Sequence, residues 1–281
     1  MADPEESRRS AVRGAYGLRI VASPGFAHLL APADPSWPEL EIVVRTGSIR
    51  GHRNNVDEER ATLVLIGAIA VVDRSPGRVV FTFATDPNPE AVVHPYLAPV
   101  AGLIAHWHGR ESLHAGAFVA KGGAWGVLTE RGGGKSTTLA KLALDGIPIL
   151  TDDVLVIEGE TAFAGPRAID LRRGPARALG VGEALGVLGK RERWRVRLDA
   201  VEGAVPFRGW VFLTWGDELA VRPVPTGSRL QRLAQQRTIL LTPRDPTTLL
   251  RLAALPAFEL QRPRLWSSLE GATQMLLSSL P

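Results

Sequence analysis

The sequence predicts an α/β fold: a core sheet with flanking helices over residues 111–281, preceded by a β-rich N-terminal layer over residues 1–110. Three observations carry this. An apolar run, Ala124 to Leu128, leads into the turn Thr129-Glu130-Arg131-Gly132-Gly133-Gly134, and an amphipathic stretch leaves it from Lys135. Upstream, apolar runs of strand length are separated by Pro and Gly turns. Downstream, three segments with helical periodicity close the chain.

The chain has 281 residues, enough for one large domain or two small ones with a substantial core. Hydrophobic residues are 45% and charged ones 22%, ordinary for a globular protein. The net charge of +4, mostly from Arg, is too small and too scattered to argue for nucleic acid. Absence of cysteine excludes a disulfide frame, a thiolate metal site and a cysteine nucleophile. Met1 to Ser10 is charged and lacks the apolar stretch of a secretion signal. The longest apolar run, Ala61 to Val72, has 12 residues, whereas a membrane span needs about 20. The expectation is a cytoplasmic protein with no membrane partner.

Taken in order, residues 1–13 are polar and expected to fray. Tyr16 to Ala22 and Leu40 to Arg45 read as strands across a loop holding Pro32, Pro35 and Pro38. Arg50 to Arg60 is a polar connector. Ala61 to Asp73 and Arg78 to Ala84 read as a hairpin around Ser75-Pro76-Gly77, completing an antiparallel layer. Pro95 to His108 is helical by the spacing of Leu97, Val100, Ala101, Ile104 and Trp107. His106 and His108 do not share a helix face, which argues against a metal pair.

Leu113 to Val119 and Ala124 to Leu128 form a second hairpin. With Gly122-Gly123 as its turn, His114 falls opposite Arg131. A helix from Lys135 to Leu144 ends at Gly146, and Ile147 to Leu150 runs back as a buried strand. Such a strand–helix–strand unit returns Asp152 and Asp153 to the edge where the glycine turn sits. Val154 to Glu158 and Thr161 to Ala164 pair around Gly159-Glu160. Asp170 and Arg172 share a face if their segment is extended. Ala176 to Leu188 reads as a glycine-interrupted helix, and Lys190 to Arg197 as a basic loop over the site or a solvated turn. Trp210 to Thr214 and Leu219 to Val224 read as a hairpin turning at Gly216-Asp217. Ser228 to Gln236, Pro246 to Leu255 and Trp266 to Leu277 read as packing helices.

A strand, a glycine-rich turn, Gly-Lys-Ser and a helix are the layout of a phosphate-binding loop. Backbone N–H groups of residues 129–137, with Glu130, Arg131, Gly132, Gly133, Gly134 and Thr137 at the centre, would nest phosphate oxygens. Lys135 would reach the β- and γ-phosphates of ATP, and the Ser136 hydroxyl would bind Mg²⁺. Thr129 stands where the usual motif has glycine, which is tolerable only with negative φ. A plain glycine turn capping a helix is the simpler alternative. Adjacent Asp152 and Asp153 near phosphates need a reason, because like charges repel the nucleotide. One would serve Mg²⁺ or its water and the other would be base to a hydroxyl; a solvated turn is the alternative. Asp170 is a candidate second Mg²⁺ carboxylate and Arg172 a phosphate-facing cation, although a surface ion-pair strand fits nearly as well.

Ser112-Leu113-His114, Gly132 to Ser136 and Thr151-Asp152-Asp153 together resemble the kinase domain of bacterial HPr kinase/phosphorylase. They resemble more closely its relatives in peptide biosynthesis, the lasso-peptide kinases. Ser136 lies 22 residues after His114 and Asp153 lies 17 after Ser136, the spacing of that family. The resemblance spans residues 112–175. It implies that His114 and Asp153 belong to the catalytic centre, with Asp153 as base, and that Lys135 acts on the transferred group. It places Asp170 near a Mg²⁺-binding glutamate of the family, at shorter spacing. Arg197 and Arg208 are the candidates for the family's later active-site arginine. The loop linked to phosphorolysis has no counterpart here, which implies a kinase without the reverse reaction.

The expected function is therefore ATP- and Mg²⁺-dependent phosphoryl transfer to a serine hydroxyl of a peptide or small protein, in natural-product biosynthesis. The N-terminal layer is a candidate for binding that peptide. Two rivals stand beside it: a kinase of a small-molecule hydroxyl, and a nucleotide-binding scaffold in which Thr129 marks a decayed site. Choice of GTP or ATP and the oligomeric state stay open, although HPr kinase itself is a hexamer.

Overall fold

In the N-terminal half, Val and Ile runs separated by Pro, Gly and Asn build a mixed sheet. The computed structural model describes residues 12–21, 24–242 and 245–281; the polar stretch 1–11 and Ala22 lie outside them. The strands are β1 (Arg13–Ala15), β2 (Leu18–Val21), β3 (Ala31–Pro32), β4 (Glu39–Thr46), β5 (Asn55–Val56), β6 (Arg60–Leu65), β7 (Ala68–Asp73) and β8 (Arg78–Phe83). They lie in the order β3-β1-β2-β4-β8-β7-β6-β5. The sheet is not purely antiparallel, because β4 runs parallel to both β2 and β8. The connections on either side of β4 are long enough for such crossovers. The expected single strand over Ala61 to Asp73 folds back on itself at Ile66-Gly67, where Gly67 has φ +78°. The β7–β8 hairpin turns where the sequence places it.

Helix α1 (Leu97–Trp107) covers this sheet with Leu97, Val100, Leu103 and Ile104. Before it, a helical turn (Pro89–Ala91) leads to His94, whose φ of −146° and ψ of 118° are extended. That break carries His94 away from the helical path toward the second half of the molecule.

The second sheet comprises β9 (Glu111–Leu113), β10 (Gly116–Ala120), β11 (Gly123–Thr129), β12 (Ile149–Thr151), β13 (Leu155–Glu158) and β14 (Thr161–Phe163). After a separate three-stranded sheet of β15 (Ala168–Leu171), β16 (Glu183–Leu188) and β17 (Arg191–Arg197), the chain returns as β18 (Ala204–Trp215), β19 (Ala220–Pro223) and β20 (Ala257–Arg262). The order is β12-β10-β11-β18-β14-β13-β9, with β20 beside β18 and β19 on β20. Alternate residues of β11 divide two cores. Trp125 and Val127 join α2 (Lys135–Leu144) and α6 (Ser268–Ser279); Ala124 and Leu128 face the side covered by α4 (Thr226–Ala234) and α5 (Pro246–Ala254). The remaining helix, α3, is Arg173–Leu179.

Five further expectations are corrected. The strand over Leu113 to Val119 splits, with β9 pairing β13 and β10 pairing β11. The β10–β11 turn is Lys121-Gly122, both left-handed at φ +52° and +74°, so Gly116 faces Val127 and the register moves by two residues. Residues 176–188 are not one helix: α3 stops at Gly180 (φ +68°), and β16 follows. The basic run 190–197 is no loop but holds β17, the middle strand of its sheet. Finally, β19 does not pair with β18, because β20 inserts between them, parallel to β18 and antiparallel to β19. Among the described residues no helix is long and apolar enough to cross a membrane, and no three His, Cys, Asp or Glu side chains cluster as a metal site.

Candidate active site

The glycine turn joins the end of β11 to the start of α2. Gly132 and Gly134 sit at φ +87° and +91°, a region that strains any L side chain. At Gly133 an added Cβ would lie 1.7 Å from Thr129 Oγ1. The Gly133 N–H donates to Glu130 O at 2.9 Å and closes the turn. Thr129 keeps negative φ, as its place in the turn requires, since the only positive-φ non-glycine residues described are Tyr16 and Lys121. Its hydroxyl donates to Leu213 O of β18 at 3.0 Å. No side chain caps α2, so its first-turn N–H groups are left for a ligand or water.

β12 runs parallel to β11 through β10, and its end delivers Asp152 and Asp153 beside α2. Lys135, 9% exposed, donates from Nζ to the Asp152 carbonyl and lies 3.9 Å from Asp152 Oδ1. Ser136 Oγ donates to Asp152 Oδ2 at 3.1 Å. Asp152 Oδ1 is buried and has no hydrogen-bond partner. Burial, and after it the Asp153 charge, push the Asp152 carboxyl up, against the pull of Lys135. At Asp153 burial also pushes upward, but Lys135, His94 and His114 outweigh it and hold the group below the usual carboxylate value. His114 is placed by its N–H, which donates to Gln236 O at 2.6 Å, and its Nδ1 lies 3.4 Å from Asp153 Oδ1. Desolvation in the cleft, then the Lys135 charge, lower the His114 pKa.

Asp170, on β15, is fully engaged. Its Oδ1 accepts from Arg195 Nε at 2.8 Å, and its Oδ2 accepts from Arg195 Nη2 at 3.0 Å and contacts His94 Nδ1 at 3.0 Å. Burial would raise its pKa; the bonds from His94 and Arg195 pull it far below the carboxylate range. Arg195 also reaches Glu90 and the His94 carbonyl, tying β17 to the N-terminal layer. The other ring nitrogen of His94, Nε2, is buried without a hydrogen-bond partner, 3.9 Å from Asp153 Oδ2.

One cleft of ≈ 820 Å³ gathers Thr129 to Thr137, His114, Asp152, Asp153, Asp170 and Arg172. It also holds residues that the sequence reading missed. His94 comes from the N-terminal layer, and Trp215, Arg262 and Arg264 from the ends of β18 and β20; Arg191 and Arg193 of the basic run expected over the site also line it, from strand β17. Arg262 stacks over Trp215 at 4.3 Å. The two arginines anticipated for the site lie elsewhere. Arg197 binds Glu90 at 3.0 Å, and Arg208 bonds to Gly122 O in the β10–β11 turn. The alternation Arg-x-Arg-x-Arg in 191–195 was the available signal, because period two marks a strand with its arginines on one face.

Strand, glycine turn and helix, with a lysine, a serine and two aspartates converging on the turn, line one cleft of a mixed α/β fold. The sequence matches no protein-family model and no curated protein. Among solved structures it is similar to the HPr(Ser) kinase/phosphatase of Coxiella burnetii, at 12% identity and a TM-score of 0.31 over 60% of this chain and 95% of that one. So distant a likeness carries no argument, and the functional reading rests on the cleft.

Proposed function

We propose that the protein is an ATP- and Mg²⁺-dependent kinase that transfers the γ-phosphoryl group to a hydroxyl. The acceptor is a seryl side chain of a peptide or small protein, as in lasso-peptide biosynthesis. The observation that carries the reading is the pairing of Asp152 with Lys135 and Ser136 while Asp153 stands beside it, 3.4 Å from His114 Nδ1. The depressed pKa of Asp153 keeps it ionised and able to accept a hydrogen bond from the acceptor hydroxyl.

In this reading the N–H groups of residues 132–137 hold the phosphate oxygens and Lys135 turns from the Asp152 carbonyl to the β- and γ-phosphates. Ser136 and Asp152 would hold Mg²⁺, which neutralises charge on the phosphates when bound. The partnerless, buried Asp152 Oδ1 and the hard oxygen donors fit such an ion. Asp170 fits it less well, because both of its oxygens are already taken by Arg195 and His94. Asp153 accepts the hydroxyl proton as the acceptor oxygen bonds to the γ-phosphorus and the bridging bond to ADP breaks. His114 and His94 flank Asp153 and orient it.

The test is transfer from γ-labelled ATP to a serine-terminated peptide, with Asp153→Asn in parallel. Label on the peptide, lost by at least about a hundredfold in the variant with nucleotide binding retained, is the expected result. Nucleotide binding without transfer to any acceptor would favour a scaffold role. Equal loss of binding and transfer would assign Asp153 to the metal or the fold.

A further inference from the structure

Strand β17 carries arginine at every second position, at 191, 193, 195 and 197. Residues two apart in a strand share a face, so four guanidinium groups form one row. Along that row the counter-charges run out. Arg197 meets Glu90 at 3.0 Å and Glu183 at 3.7 Å. Arg195 meets Asp170 at 2.8 Å and Glu90 at 3.2 Å. Among the described residues Arg193 has only the edge of Asp170, at 3.8 Å, and its Nε is buried with no hydrogen-bond partner. Arg191, at the cleft end of the row, is exposed, and among the described residues no carboxylate pairs with it.

Two more arginines line the cleft there: Arg172, just past β15, and Arg131 of the glycine turn. Desolvation, and after it the charges of Arg172, Arg131 and Arg193, lower the Arg191 pKa. Like charges that line one cleft repel one another unless an anion sits among them. A Mg²⁺-bound nucleotide leaves little negative charge over once Lys135 and the α2 N–H groups have engaged it. The cleft also holds Glu130, Glu192, Asp152, Asp153 and Asp170, but among the described residues none of these carboxylates forms an ion pair with Arg191.

The geometry points to a second anion subsite, formed by Arg172, Arg191 and Arg193 with Arg131 at its border, that binds an oxyanion of the acceptor, a carboxylate or a phosphate near the reacting hydroxyl. Guanidinium forks suit both groups through paired N–H donors. The inference rests on the kinase reading for what fills the first subsite, and it makes acidic peptides the preferred acceptors.

Three labelled serine peptides, alike except for Glu, phosphoserine or Gln beside the serine, are titrated into full-length protein saturated with Mg²⁺ and a non-hydrolysable ATP analogue. The Glu and phosphoserine peptides are expected to bind about tenfold or more tightly than the Gln peptide. Whichever of the two binds better identifies the oxyanion. Arg191→Gln should shrink that preference and Arg191→Glu reverse it. Arg191 is exposed and forms no ion pair with a described carboxylate, so both variants should fold. Equal binding of all three peptides, or a preference untouched by both variants, would overturn the subsite. So would a matching loss of analogue affinity in the variants, because Arg191 would then belong to the nucleotide. If wild-type protein fails to bind the analogue at all, the kinase reading fails, while the peptide titration without nucleotide still reads the arginines.

Discussion

His94 holds Nδ1 against Asp170 at 3.0 Å and leaves Nε2 buried and unpartnered, 3.9 Å from Asp153. A ring fixed on one side by a carboxylate presents its other nitrogen in a set direction, which is how a supporting residue orients a reacting one. His94→Gln should reduce transfer by about 10- to 100-fold, with nucleotide affinity and melting temperature nearly unchanged. A wild-type rate in that variant would remove His94 from the site. Asp170→Asn is expected to act differently. It leaves the buried Arg195 guanidinium without its counter-charge, which costs about 3–5 kcal/mol when one partner of a buried pair is removed. Because the folded pKa of Asp170 is depressed, its stabilisation is complete above the unfolded value, about 3.9, and is lost as pH falls below it. Urea denaturation should therefore show wild type losing stability below about pH 4 more steeply than Asp170→Asn. Unchanged stability with lost Mg²⁺ dependence of activity would instead return Asp170 to the metal.

At the scale of elements, the turn after β11 works because Gly133 leaves room for the Thr129 side chain. An added Cβ at Gly133 would meet Thr129 Oγ1 at 1.7 Å. Gly133→Ala should abolish nucleotide binding, and adding Thr129→Gly should restore part of it, at the loss of about 1 kcal/mol from the bond to Leu213. A double variant no better than the single one would show that the clash with Glu130 O decides instead. This turn was legible in the sequence because its residue types are forced by local backbone geometry. So were α1, α2 and the β13–β14 hairpin, whose periodicity and turn residues are local. The pairing of β20 between β18 and β19 was not legible, because it depends on where α4 and α5 return the chain. β17 was missed for another reason. Its arginines look like a solvated run until Asp170 and Glu90 are brought to them from 25 and 105 residues away. His94 is likewise set by a break in helical backbone that composition does not announce.

At the scale of the whole molecule, the two halves share one core. Leu40, Val79, Phe81, Leu97 and Leu103 of the N-terminal layer cluster with Val154, Val156, Phe163 and Ala168 of the second half. Backbone bonds cross the same seam, from Tyr16 N to Ala164 O at 2.6 Å and from Arg167 N to Leu29 O at 2.7 Å. The N-terminal layer also supplies His94 and Glu90 to the network beneath Asp153. A chain cut after Arg110 would expose Val154, Val156 and Phe163 to water and strip Asp170 of one partner. Burial of such side chains contributes about 1.5–3 kcal/mol each, comparable in sum to the stability of a whole domain. The fragment 111–281 should therefore bind a hydrophobic dye and melt without a sharp transition, while the intact protein unfolds cooperatively. Both are read in one thermal scan, followed by near-UV circular dichroism. A fragment that melts sharply and binds ATP as the intact protein does would show the second half to be an independent domain. Lost transfer in that same fragment would then fall on the N-terminal layer, which supplies His94 and Glu90, and supplying residues 12–110 in trans should restore it.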